Sequence, residues 1–138
     1  MDPLSIIASS ITVLGTVNTI LATIKAIKNI DSSFRDISDE LRSFQVVLRH
    51  ISEMLCAHRA RLSTNQWAAV STLLKQAEDL LDKLEDLFEK CSSKIDKRRA
   101  GIVRKVERVL KFPDVQHLHK RLVDANTNFG ALLNAINL

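Results

Sequence analysis

The chain has 138 residues, 46% of them hydrophobic and 26% charged, with a formal net charge of +4. That balance describes one domain with enough apolar material for a core, and it argues against a disordered chain. Two prolines, three glycines and no tyrosine favour a few long helices over many short strands. Two cysteines without CxxC or Cys/His metal spacing exclude a disulfide framework and fit a reducing, intracellular compartment.

The first element is PLSIIASSITVLGTVNTILATI, residues 3 to 24, which carries no charge. Asp2 is placed to cap it and Pro3 to occupy its first turn, where a missing N–H costs nothing. On a helix, Ser5, Ser9, Thr12, Thr16, Thr19 and Thr23 fall with Ala8, Gly15, Ala22 and Ala26 on a small-residue face. Leu4, Ile6, Ile7, Ile11, Val13, Leu14, Val17, Ile20, Leu21 and Ile24 make the aliphatic face. Such a helix can bury one side and let another backbone approach the other. Its uncharged part spans roughly 33 Å, close to the hydrocarbon thickness of a bilayer. Seven of its 22 residues are Ser or Thr and one is Asn18, which is polar for a permanent anchor. The two readings are a buried helix, near the middle of a bundle or against a groove, and a helix usable in a membrane. Asp2 ahead of the run, with Lys25 and Lys28 after it, does not fit a secretory signal, and residue 2 is not the glycine that myristoylation needs.

Asn29 to Ser33 reads as a turn. The second helix then shows Phe34, Ile37, Leu41, Phe44, Leu48, Ile51 and Leu55 in 3, 4 alternation, widened by Val47 and Met54. Ser63-Thr64-Asn65 is a break with capping chemistry. The third helix repeats the alternation with Trp67, Val70, Leu74, Ala77, Leu81, Leu84, Phe88 and Cys91, with Leu73, Leu80 and Leu87 beside it. Its polar face predicts i,i+4 pairs of Lys75 with Asp79, Asp79 with Lys83, and Asp86 with Lys90.

Residues 94 to 111 hold Lys94, Lys97, Arg98, Arg99, Arg104, Lys105, Arg108 and Lys111 against Asp96 and Glu107. The local net charge is +6, which leaves about −2 for the rest. A short amphipathic helix is expected after Gly101, and the cations suit anionic lipid headgroups. Without interleaved aromatics or a helix-turn-helix signature, nucleic acid is the weaker partner. Pro113-Asp114 ends this segment. The last helix carries Val115, Leu118, Leu122, Ala125, Phe129, Leu132 and Ile136.

These seams predict an all-α fold: an antiparallel four- to five-helix bundle with a hydrophobic N-terminal helix, residues 1–138 forming one domain. No catalytic constellation is present: no Gly-rich phosphate loop, GxSxG or HExxH. His117 and His119 are spaced i,i+2 and point apart, His58 reads as an edge or core histidine, and Cys56 and Cys91 read as small buried or half-buried hydrophobes. The expectation is therefore a protein that is not an enzyme and holds no metal or cofactor.

The opening MDPLSIIASSITVLGTV resembles the start of fungal HeLo-like domains, found at the N-terminus of NLR-type (STAND) receptors and related cell-death proteins. Their starts typically read MDPLSI followed by small and aliphatic residues. The resemblance implies a bundle similar to the HeLo domain and to the four-helix domain of mixed-lineage kinase-like necroptosis executioners. It implies a cytoplasmic protein at rest that an upstream NLR or amyloid-signalling partner assembles into homo-oligomers. The N-terminal helix then enters the plasma membrane and the cell dies. On this sequence the inserting residues would be Leu4, Ile6, Ile7, Ile11, Leu14, Val17, Leu21 and Ile24. Apart from the resemblance, the small face of Ala8, Thr12, Gly15, Thr19 and Ala22 would let copies pack closely in lipid, and the basic segment would contact its headgroups. The alternatives are a non-lytic helical interaction or oligomerisation module of an NLR-type receptor, and nucleic-acid binding through residues 94 to 111.

Overall fold

The computed structural model describes residues 2–26, 32–97 and 114–136. They form α1 (Pro3–Ala26), α2 (Ser32–Ala57), α3 (Thr64–Lys97) and α4 (Asp114–Ile136), with no strand among the described residues. The helix expected after Gly101 lies outside them.

Local chemistry sets the helix starts. The Leu4 amide donates to Asp2 Oδ1 at 3.2 Å, so Asp2 caps α1 with Pro3 in the first turn. At the start of α3, Gln66 N–H donates to Ser63 Oγ at 3.1 Å and Ser63 N–H donates to Gln66 Oε1 at 2.9 Å. This reciprocal capping box satisfies two amides that would otherwise lack partners.

The 3, 4 seams turn inward as their spacing requires. All seven seam residues of α2 from Phe34 to Leu55 are buried, as are Trp67, Val70, Leu74, Ala77, Leu81, Leu84 and Phe88 of α3. Val115, Leu118, Leu122 and Phe129 of α4 join them, while Ala125, Leu132 and Ile136 are partly buried. The Phe44 and Phe129 rings meet edge-on at 5.4 Å between α2 and α4, and Phe34 meets Phe88 at 5.3 Å between α2 and α3. Such aromatic pairs add to the burial that holds the core.

The helices occupy four corners. α1 packs on α2 and α3, and α4 packs on the same two helices from the other side. Ser10 pairs with Ser52 and Asn18 with Gln45, so α1 and α2 run antiparallel. Glu40 pairs with Asn126 and Phe44 with Phe129, so α2 and α4 run parallel. Successive helices thus alternate in direction, as an antiparallel bundle requires, while α2 and α4 lie side by side in the same direction.

Of the two placements open to α1, the middle of the bundle or a groove, it takes the second: it lies at a corner, in the groove between α2 and α3. Two other expectations need correction. The aliphatic residues of α1 do not share one fate. Ile6, Val13, Val17, Ile20 and Ile24 are buried in a seam that includes Ser10, with Ile7 buried beside it. Leu4 and Ile11 are 57% and 56% exposed. Ile11 precedes Val13 by two residues, about 200° around the helix, which carries it to the outer side. Cys56 is exposed, not buried or half-buried. It follows buried Leu55, the last residue of the α2 seam, and one helical step turns it away from the core.

Candidate functional site

The candidate is α1. It is long and apolar enough, by length and composition, to cross a membrane. A core helix of a soluble protein meets the same criterion. Within its most apolar window 33% of the residues are buried, and Leu4 and Ile11 stand exposed.

Its seven Ser and Thr hydroxyls explain how an apolar helix tolerates them. Ser10 donates to the Ile7 carbonyl at 2.6 Å, and Thr12 to Ala8 at 3.0 Å. Thr16, Thr19 and Thr23 donate to the carbonyls of Thr12, Gly15 and Thr19 at 3.0 to 3.1 Å. Five hydroxyls are thus satisfied within their own helix. A hydroxyl moved from water into an apolar medium is costly only when its hydrogen bond is lost, and these bonds travel with α1.

Three polar contacts tie α1 to its neighbours among the described residues. Ser9 Oγ donates to Glu78 Oε1 of α3 at 2.8 Å. Ser52 Oγ of α2 donates to Ser10 Oγ at 3.0 Å, and the Gln45 amide donates to Asn18 Oδ1. Beside the first contact, Asp2, Ser5, Ser9, Ser71, Lys75 and Glu78 line an open groove of about 330 Å³ between α1 and α3. These partners escaped the sequence reading, although a signal exists. Ser38, Gln45 and Ser52 recur at steps of seven beside the α2 seam, and Ser71 and Glu78 do so on α3. These rows flank the apolar seams, and Gln45, Ser52 and Glu78 within them bond to α1.

The expected membrane-facing residues divide. Ile6, Ile7, Val17 and Ile24 are buried in the bundle, Leu14 and Leu21 are half-buried, and Leu4 and Ile11 face solvent. The small residues Ala8, Thr12, Gly15, Thr19 and Ala22 are all exposed. A Cβ built on Gly15 would meet nothing within 4 Å, so the bundle itself does not use the small face for close approach. Of the basic patch, Lys94 and Lys97 fall on the last turns of α3. Their side chains, with Arg98, Arg99, Arg104, Lys105, Arg108 and Lys111, lie outside the described residues.

Electrostatics elsewhere are modest. The predicted Asp79–Lys83 pair forms at 3.3 Å, and Arg121 of α4 reaches the same carboxylate at 3.1 Å. Arg121, with Lys83 second, holds Asp79 below the usual carboxylate range. His50 and His117 are exposed, while His58 and His119 are half-buried. No group of three His, Cys, Asp or Glu residues could hold a metal among the described residues.

The described helices form an all-α bundle with its most apolar helix, α1, held at one corner. Residues 7–126, most of the chain, match SesA, the N-terminal domain on NACHT NTPase and P-loop NTPases. The chain belongs to that family. No curated protein matches it, and no solved structure does.

Proposed function

We propose that this chain is a HeLo-like, membrane-permeabilising cell-death domain, released by an NLR-type NTPase or an amyloid-signalling partner. Copies assemble on activation, α1 leaves the groove between α2 and α3, and its aliphatic residues enter the plasma membrane. The domain is cytoplasmic at rest and works without catalysis or cofactor. The observation that carries the reading is the state of α1: uncharged from Pro3 to Ile24, one third buried and satisfied in most of its hydroxyls by its own backbone. Exposed Gly15 and its small neighbours would allow close packing of copies in lipid. The cations of residues 94 to 111 would meet anionic headgroups.

The test is leakage of vesicles rich in anionic lipid. Ile11→Glu and Gly15→Glu change exposed positions, and nothing lies within 4 Å of a Cβ at Gly15. Each should leave the bundle folded and abolish leakage, as should removal of residues 1–24. Leakage that persists in both folded variants rejects the reading.

A second reading draws on the family. SesA is described as a domain on NTPases, and a bundle that only oligomerises or recruits partners for such a receptor fits that description. It predicts self-association with no dependence on lipid charge or salt.

A further inference from the structure

We infer that the berth between α2 and α3 accepts α1 from a second copy of this chain as well as its own, so that clustered copies exchange their first helices. The inference takes up the oligomerisation step of the reading above and is independent of its membrane step.

The berth is specific. Its apolar floor receives Ile6, Val13, Val17, Ile20 and Ile24, and its flanks present Glu78, Ser52 and Gln45 to Ser9, Ser10 and Asn18. An empty berth would put buried aliphatic side chains in water and leave these polar groups without their partners. A generic amphipathic helix could cover the floor; the sequence of α1 also places hydrogen-bonding groups at those three positions. A second copy carries that sequence.

The rest of the bundle permits the exchange. α4 packs on α2 and α3, and both the Phe34–Phe88 and Phe44–Phe129 pairs lie outside α1. Opening at α1 therefore leaves the other three helices in contact. Swapping an identical element needs no new interface, since the same contacts form between chains instead of within one. Concentration decides between the two. A helix tethered by a short connection competes at an effective concentration on the order of millimolar. Free copies at low concentration keep their own α1, and copies held together on an assembly exchange.

Cross-linking without lipid tests this. In the full chain, with Cys56 and Cys91 changed to serine, one preparation carries Ser10→Cys and another Ser52→Cys. The two are denatured, mixed, refolded at low and at about millimolar concentration, and oxidised. A chain carrying both cysteines should close on itself, which establishes the geometry, and Asn18→Cys with Gln45→Cys supplies a second pair. The expected result is a disulfide-linked dimer of unlike chains that increases with concentration for both pairs, and none when Ile11→Cys, on the outer face, replaces Ser10→Cys. The inference is overturned if the chains stay unlinked at the high concentration while the double variants close, or if Ile11→Cys links as well as Ser10→Cys does. Leakage plays no part in the readout, so the exchange and the membrane reading fail separately.

Discussion

Ser52 Oγ donates to Ser10 Oγ at 3.0 Å, and Ser10, which is fully buried, donates its own hydrogen bond to the Ile7 carbonyl. The pair sits in a seam that is otherwise aliphatic, where α1 meets α2. It joins the helices by polar contact at a point where two methyl-bearing side chains would have joined them by packing.

Removing one partner tests that relationship. Ser10→Ala leaves the half-buried Ser52 hydroxyl without its acceptor and should lower stability by about 1 kcal/mol in urea unfolding. Ser10→Ala with Ser52→Ala should cost less than the sum of the single changes, because neither side then keeps an unmatched group. A strictly additive cycle would show that the two hydroxyls do not act as a pair.

Glycine offers a gain. Gly15 and Gly130 lie inside helices, and a Cβ on either meets nothing within 4 Å. Gly15→Ala and Gly130→Ala should each stabilise the fold by about 1 kcal/mol through helix propensity. Thermal unfolding of the two variants measures this, and a lower midpoint would contradict the open space around them.

The core should respond with the opposite sign. Phe129 is buried and its ring packs edge-on against Phe44. Phe129→Ala should cost about 3–5 kcal/mol, enough to unfold many domains of this size. Circular dichroism with denaturant shows the loss; Phe129→Leu, which keeps most of the volume, should lose less.

Acid should act weakly and late through Asp79. Arg121 and then Lys83 hold its carboxyl below the ordinary value of 3.8. A group with a lowered folded-state pKa contributes stability above its unfolded value, and that contribution is lost as pH falls through the folded one. The window therefore lies below about pH 4, and the exposure of the carboxylate keeps the effect small. Arg121→Ala should move the Asp79 titration, followed by NMR, back towards 3.8. An unmoved titration would remove Arg121 as the main cause.

Much of this fold is legible in the sequence because burial enforces periodicity. Every seam residue of α2 from Phe34 to Leu55 is inside, and Asp2 caps the helix it precedes. The position of α1 is less legible. A helix with aliphatic residues over most of its circumference fits the middle of a bundle as well as a groove, and only the structure shows exposed Leu4 and Ile11 standing among small residues on an outer face that no other described helix covers. The threonines do not betray this, because each of the four meets its hydrogen-bonding need within its own helix and is indifferent to what surrounds it. Cys56 misleads for a simpler reason: it stands one residue past Leu55, the last buried seam position, and that single step turns it outward.

The corner arrangement has a mechanical consequence. α1 and α4 each lean on α2 and α3, so among the described residues the main mechanical route between the first and last helices runs through those two. A displacement of α4 would reach α1 largely by shifting α2 or α3, whose Gln45, Ser52 and Glu78 bond to α1 directly.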